Sequence, residues 1–147
     1  MYRRYSDRVD MYAVYIREAH PVDGWRTADN ESAGIRVETA RRFDQRAAAA
    51  SLCCEALRLP IPLLVDGIDD AVATAYSGFP DRLYVIDREG RVAYKGARGP
   101  FGFEPREAEQ ALLLLLADEA KRFPVSKDKT DAEPPAPALP QDPSAEK

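Results

Sequence analysis

The stretch DRLYVIDREGRVAYKG, residues 81–96, is the clearest structural signal in the chain. Two segments rich in β-branched and aromatic residues, 82–87 and 91–96, flank the short loop REG, and such segments are typical of paired strands. Gly90 can adopt the left-handed backbone conformation that a short hairpin loop requires. The pattern therefore predicts a β-hairpin.

Upstream of this hairpin, apolar segments alternate with helical patterns. Residues 9–16, VDMYAVYI, predict a buried strand, and residues 62–66, PLLVD, predict a second one. Residues 17–36 are polar and predict a loop, and Asp69 is expected to cap a short helix that ends near Tyr76. A long helix is predicted between the two strands, because apolar residues recur there at spacings of three and four: Val37, Ala40, Phe43, Ala47, Ala50, Cys54 and Leu57.

Downstream of the hairpin, Pro105 stands where a helix begins, and this helix is expected to stop near Phe123. Residues 124–147 hold six of the twelve prolines and predict a disordered tail, so we divide the chain into a domain over 1–123 and a tail over 124–147. The element order predicts an α/β fold with a largely parallel sheet, helices on both faces and an antiparallel edge. A thioredoxin-like fold has this ending, although other α/β sheets share the order.

Composition excludes several classes of protein. The net charge of −4 argues against nucleic acid as a partner. The longest apolar run, 111–117, is too short to span a bilayer, and no apolar segment follows the first arginines as a secretory signal would require. The adjacent pair Cys53–Cys54 is not a CxxC motif; we expect buried structural thiols in a reducing compartment. Two basic clusters are expected on solvated helix faces: Arg3, Arg4 and Arg8, and Arg41, Arg42 and Arg46.

The segment YIREAHPVDGW, residues 15–25, contains the only histidine and the only tryptophan. Glu18 and His20 share strand parity just beyond the first strand, and Tyr15 precedes Glu18 by three residues. A Tyr–Glu–His chain can hold an imidazole in one tautomer and move a proton. On the residues alone the simpler interpretation is preferred, in which His20 bonds to loop carbonyls and Trp25 folds back over a plain turn.

Two separated motifs resemble the iodothyronine deiodinase family. YIREAHPVDGW is similar to the family's YIEEAH…DGW segment, and residues 81–105, DRLYVIDREGRVAYKGARGPFGFEP, are similar to its ERLYVI…GRI.YKG..GP…Y.P region. The similarity covers about residues 1–116. It implies a thioredoxin-like fold and reverses the preferred interpretation of His20.

The resemblance also implies a reaction. In that family a selenocysteine, sometimes a cysteine, attacks iodine on a phenolic ring, and an external thiol reductant such as thioredoxin or glutathione regenerates the enzyme without a bound cofactor or metal. Glu18 and His20 then match the catalytic Glu and His, and Tyr15 a Tyr of the same proton relay. Arg98 matches a substrate-contacting Arg, and Trp25 is expected to pack over the rim of the same cleft. The resemblance implies a bacterial, cytoplasmic selenoprotein whose substrate is a small aromatic, halogenated molecule. It implies no membrane partner, and whether the protein forms a homodimer is left open.

The chain departs from the family at three positions. Ala40 stands where the family has a second substrate-contacting His, and Arg17 replaces the first Glu of EEAH. The family's nucleophile lies upstream of the position of Met1, and neither Cys53 nor Cys54 matches it. We therefore expect the central strand to be missing and the 147-residue chain alone to be inactive and prone to aggregation. Our hypothesis is that a selenocysteine codon was read as a stop and that Met1 is not the real start.

The resemblance and the residues leave three functions open. The first is a deiodinase-like oxidoreductase, the second a non-catalytic thioredoxin-like binding module, and the third a peroxiredoxin-like thiol reductase. For the first we expect His20 and Glu18 to line the main cleft and the loop 96–102 to face it from the far side. Pro80, ahead of the hairpin, is predicted to follow a cis peptide bond, as in thioredoxin-like folds.

Overall fold

The computed structural model describes residues 1–32 and 34–123; the predicted tail lies outside the described residues. The elements follow one another as α1 (Tyr2–Tyr5), β1 (Ala13–Tyr15), α2 (Ala28–Ser32), α3 (Phe43–Leu57), β2 (Leu63–Val65), α4 (Ala71–Ala75), β3 (Tyr84–Ile86), β4 (Val92–Lys95) and α5 (Pro105–Arg122). The α/β class predicted from the sequence is confirmed. In this part of the chain no helix is both long and apolar enough to cross a membrane.

The four strands form two separate pairs rather than the single sheet that was predicted. β1 pairs with β2 in parallel, with Tyr15 opposite Val65, and β3 pairs with β4 in antiparallel orientation, with Tyr84 opposite Lys95. β1 and β3 do not pair with each other, as expected, because the described residues supply no strand between them. Each of these two strands therefore keeps an open edge.

The hairpin of β3 and β4 is confirmed in detail. Gly90 has a φ of 80°, which is the left-handed conformation that the loop requires. The carboxylate of Asp87 accepts hydrogen bonds from the backbone N–H groups of Glu89 at 3.0 Å and Arg91 at 2.8 Å. These bonds close the loop and hold the two strands in register.

The long helix differs from its prediction in length and in its buried face. α3 begins at Phe43, and residues 37–40 have no regular secondary structure instead of being helical. Ala49 and Ala50 are buried, whereas Phe43 is 55% exposed and Leu57 64% exposed, so the predicted apolar stripe is wrong at both ends. Small alanine side chains let the helix approach β2 closely, and this approach decides which face is buried.

Arg46 lies on this buried face, which corrects its assignment to a solvated cluster. Its side chain is 4% exposed, and its Nη2 forms an ion pair with Asp70 Oδ1 at 2.9 Å. Its Nη1 donates to the backbone carbonyls of Asp66, at 3.4 Å, and of Gly67. One guanidinium thus joins α3 to the loop between β2 and α4.

Asp66, and not Asp69, caps the short helix α4. Its carboxylate is buried and accepts the backbone N–H groups of Val72 at 3.0 Å and Ala73 at 2.8 Å. Burial is the largest single influence and opposes ionisation of this carboxyl, but the hydrogen bonds from backbone N–H groups and the positive charge of Arg46 together lower its pKa. The capping residue was missed because it belongs to the strand segment 62–66 and reaches forward over six residues.

The core among the described residues is small. Its buried apolar members are mostly alanines: Tyr5, Ala49, Ala50, Ala73, Ala108 and Leu112. Larger apolar side chains stay in contact with solvent, with Val14 of β1 40% exposed, Leu64 of β2 50% exposed and Leu114 of α5 72% exposed. Apolar burial alone therefore contributes little, and polar contacts such as those of Arg46 matter correspondingly more.

Replacing Arg46 by Met should destabilise the fold strongly. Removal of one partner of a buried ion pair leaves the other charge uncompensated, and such changes cost about 3–5 kcal/mol. The loss is measurable as a lower midpoint of urea unfolding followed by circular dichroism. Arg42→Met, at the N-cap position directly before the same helix and with an exposed side chain, is the matched control and should stay near wild type; equal midpoints for both variants would contradict the role given to Arg46.

Candidate active site

The end of β1 brings Tyr15 and Glu18 together. The hydroxyl of Tyr15 donates a hydrogen bond to Glu18 Oε2 at 2.8 Å, and the backbone N–H of His20 donates to Glu18 Oε1 at 3.3 Å. The carboxylate of Glu18 therefore joins the last residue of the strand to the turn that follows it. This arrangement contains the Tyr–Glu part of the predicted proton relay.

Tyr15 is held in its protonated form. Burial raises its pKa well above the ordinary value, and the hydrogen bond to Glu18 and the negative charge of Glu18 raise it further. The positive charge of Arg46 acts in the opposite direction and is outweighed. Tyr15 is consequently a hydrogen-bond donor to Glu18 over the whole physiological pH range.

The imidazole of His20 is held by Trp25 and not by Glu18. Its Nδ1 lies 3.1 Å from the backbone carbonyl oxygen of Trp25, and the two rings meet edge to face at 4.8 Å and 71°. Because a carbonyl oxygen can only accept, Nδ1 carries the proton and the neutral ring keeps its lone pair on Nε2. The side chain of Glu18 reaches the backbone of His20, so the expected contact between carboxylate and imidazole is replaced by a backbone contact.

A cavity of about 210 Å³ opens beside the Tyr15–Glu18 pair. Its walls come from the end of β1 and the residues after it, the segment 37–40, α3 and the loop before α4: Tyr15, Arg17, Glu18, Val37, Glu38, Thr39, Ala40, Arg46, Ala49, Ile68 and Asp70. Glu18 lines the cavity as expected, but His20 and Trp25 are not among the described residues that line it. Between His20 and Trp25 the chain forms the turn 21–24, closed by a hydrogen bond from Gly24 N–H to the Pro21 carbonyl at 3.1 Å.

Among the charged side chains that line this cavity, Asp70 forms ion pairs that the sequence did not indicate. Asp70 lies between two guanidiniums, with Arg46 Nη2 at 2.9 Å from Oδ1 and Arg17 Nη1 at 3.5 Å from Oδ2. The guanidinium of Arg17 also lies 4.2 Å from the centre of the Phe79 ring. No spacing in the sequence indicates these ion pairs, because Arg17 follows β1, Arg46 lies in α3 and Asp70 precedes α4.

Arg98 lies in the loop between β4 and α5, on the solvent side. The loop is tied to the residue after Pro80, because Gly99 N–H donates to the carbonyl of Asp81 at 3.0 Å. The Phe79–Pro80 bond is cis, which confirms the prediction, and the Gly99–Pro100 bond is cis as well. No residue of the loop 96–102 lies among those that line the cavity, so the expected approach from the far side does not occur in the described part of the chain.

The two cysteines are free and half-buried, and not fully buried as predicted. Burial raises the pKa of the Cys53 thiol, and the negative charge of Glu18 raises it further. A thiol that stays protonated at neutral pH is a weak nucleophile. Within residues 1–32 and 34–123, no group of three His, Cys, Asp or Glu side chains is placed to hold a metal ion.

Comparison with known proteins places these residues in a family context. The sequence profile of the family described as iodothyronine deiodinase matches residues 1–114. The chain is 40% identical over 103 residues to thyroxine 5-deiodinase of Gallus gallus, and the match covers 70% of this chain and 38% of that protein. It is 33% identical over 110 residues to type II iodothyronine deiodinase of Rattus norvegicus, covering 74% of this chain and 41% of the relative. A third match, to type I iodothyronine deiodinase of Xenopus laevis, has 31% identity over 103 residues. The chain thus spans about two fifths of the length of these curated relatives.

The Tyr15–Glu18 pair should be visible in a spectrophotometric tyrosine titration. Tyr15 should ionise at higher pH than an ordinary tyrosine, whose pKa is about 10, and Tyr15→Phe identifies its signal among the seven tyrosines. Glu18→Gln should lower the pKa of Tyr15 yet leave it raised, because burial is the larger cause. Since the folded pKa lies above the unfolded one, the stability it contributes is present below pH ~10 and is lost as the pH rises through the folded pKa. An unchanged titration in Glu18→Gln would show that the pair is not formed.

Proposed function

The chain belongs to the iodothyronine deiodinase family, and we propose that it supplies the proton-relay and substrate-binding part of an enzyme that reductively removes iodine from iodothyronine-like or other halogenated aromatic molecules. The observation that carries the proposal is the Tyr15–Glu18 hydrogen bond, which lies directly before His20 and beside a cavity. A half-buried hydroxyl, a carboxylate and an imidazole are groups that general acid–base catalysis uses.

The nucleophile, in this proposal, is a selenocysteine or cysteine on a strand that is not among the 147 residues. The open edges of β1 and β3 support this part of the proposal, because one added strand between them would join the two pairs into one sheet. The raised pKa of Cys53 supports it as well, since a soft nucleophile must be ionised to attack iodine. In this proposal the nucleophile lies at the carboxyl end of that strand, close to Tyr15 and Glu18.

The proposed chemistry has two balanced stages. The selenolate or thiolate attacks the iodine atom, a bond from selenium or sulfur to iodine forms as the carbon–iodine bond breaks, and the electron pair left on the ring carbon takes a proton. Two molecules of an external thiol then become a disulfide: iodide leaves, one of the two thiol protons restores the selenol or thiol, and the other returns to Nε2 of His20. In this scheme the His20 imidazole, protonated at Nε2, delivers the proton to the ring carbon, and Glu18 with Tyr15 fixes the backbone from which His20 projects.

The partners follow from this chemistry. The regenerating reductant is a cytoplasmic thiol of the thioredoxin or glutathione class, and no bound cofactor takes part. The pair of free cysteines supports a reducing compartment. The net charge of −4 gives no support for nucleic acid as a partner. Assembly of two copies would cover apolar side chains such as Leu114, which is 72% exposed.

Loss of the relay should remove turnover while binding persists. In the full-length protein, with its complete upstream sequence and a cysteine or selenocysteine nucleophile, His20→Asn and Glu18→Gln should each lower kcat for iodide release from thyroxine about 100-fold or more. Cys53→Ser is the matched control and should keep wild-type turnover. Reduction of peroxide without iodide release would instead assign a peroxiredoxin-like reductase, and thyroxine binding without any turnover would assign a binding module.

Arg98 should act on substrate affinity alone. An exposed guanidinium can pair with the carboxylate or the phenolate of an anionic aromatic substrate. Arg98→Ala should raise KM for thyroxine about tenfold with little change in kcat, since hydrogen bonds to charged groups contribute about 1.5–3 kcal/mol. Arg106→Ala, another exposed arginine near the start of α5, is the control, and equal KM values for the two variants would remove Arg98 from the substrate site.

A further inference from the structure

Asp23 and Thr39 join two segments that are far apart along the chain. Asp23 Oδ1 accepts the backbone N–H of Thr39 at 2.8 Å and its hydroxyl at 2.9 Å, across a sequence separation of 16 residues. Next to them, Val22 N–H donates to the carbonyl of Val37 at 2.8 Å. We call these three hydrogen bonds the Asp23 clasp.

The side of the clasp that contains Thr39 belongs to a wall of the cavity. Thr39 belongs to the segment 37–40, all four residues of which line the cavity together with Tyr15 and Glu18. This segment makes no strand pairing among the described residues, so nothing in the two sheets fixes its distance from β1. The clasp supplies that restraint.

The other side of the clasp is the turn that holds His20. Asp23 lies in the turn 21–24. Two residues later, the backbone carbonyl of Trp25 accepts a hydrogen bond from His20 Nδ1 at 3.1 Å. A shift of the turn would therefore move both the hydrogen-bond partner and the aromatic neighbour of the imidazole. The clasp lies between the two halves of the candidate site: the cavity on one side and the His20–Trp25 pair on the other.

We propose that Asp23 is a positioning residue of this site: by holding Thr39 it sets the wall 37–40 against Tyr15 and Glu18, and it keeps Trp25 where it fixes the tautomer of His20. The part that concerns substrate rests on the proposed function. Asp23 touches neither substrate nor the reacting atoms and acts through Thr39 and Trp25.

A carboxylate suits this position for a geometric reason. One oxygen accepts two donors from the same residue, and an ionised acceptor makes both hydrogen bonds stronger than a neutral one would. The hydrogen bond from the backbone N–H of Thr39 lowers the pKa of Asp23 most, and the bond from the Thr39 hydroxyl lowers it further, so the carboxylate stays ionised. An amide oxygen in Asp23→Asn preserves the acceptor and its position without the charge, which makes this variant a rescue test.

The experiment uses the 147-residue chain, in which Trp25 and His20 are the single residues of their kinds. Asp23→Ala, Asp23→Asn and Thr39→Val are compared with the exposed controls Asp10→Ala and Thr74→Val. Three quantities are measured: hydrogen exchange of the Thr39 amide, the ¹⁵N chemical shifts of the His20 ring, and the affinity for thyroxine from quenching of Trp25 fluorescence. The folded fraction of every variant comes from circular dichroism.

In Asp23→Ala, the Thr39 amide should exchange about threefold to tenfold faster and thyroxine affinity should fall by a similar factor, as the loss of one or two hydrogen bonds implies. The His20 ring should move from the Nδ1–H form towards a mixture of tautomers. Asp23→Asn should stay close to wild type, Thr39→Val should lie between, and both controls should be unchanged.

Wild-type exchange and ring shifts in Asp23→Ala would overturn the proposal, and so would changes that only follow a reduced folded fraction. A wild-type chain that does not bind thyroxine would count against the proposed function, and the exchange rate and the His20 tautomer would still decide the clasp. If Asp23→Ala changes the exchange of the Thr39 amide and the tautomer of His20 but leaves the affinity for thyroxine unchanged, the part of the proposal that concerns substrate is overturned.

Discussion

The buried guanidinium of Arg46 is the interaction on which the described structure depends most. The core is built largely from alanines, and small side chains bury little apolar area. Arg46 compensates by joining α3 to the carbonyls of Asp66 and Gly67 and to Asp70, which in turn pairs with Arg17. The same side chain lines the cavity. Structure and site are therefore coupled: a change that frees Arg46 alters the packing of α3 and the charge beside Tyr15 at once.

The open edges of β1 and β3 explain why the core is so small. Val14 and Leu64 lie on two paired strands yet remain 40% and 50% exposed, since nothing among the described residues covers that face of the pair. Unpaired edges and exposed apolar faces are costly for a free chain, and they are the features that an added strand and its neighbours would satisfy. The strand pairing is thus the observation in the structure that supports the additional strand of our proposal.

Sequence reasoning succeeded where a local rule decides the outcome. The hairpin around Gly90, the Pro105 helix start and the cis bond before Pro80 follow from turn chemistry or from a motif, and all three are present. It failed where tertiary contacts decide. The burial of Arg46, the cap from Asp66 and the placement of His20 outside the cavity depend on residues from other elements, which no periodicity encodes. The Tyr15–Glu18 contact was accessible because both residues lie within one strand end.

Glu18 joins the end of β1 to the turn that follows it. Its two oxygens are already engaged, one by the Tyr15 hydroxyl and one by the backbone of His20, so this carboxylate is better suited to hold a proton donor in place than to accept a proton itself. In the relay that we propose, the imidazole of His20, whose Nδ1 donates to the backbone carbonyl of Trp25, carries the proton at Nε2. In that proposal the nucleophile approaches from the side of Nε2, and the turn that bears Asp23 and Trp25 sets the position of that side.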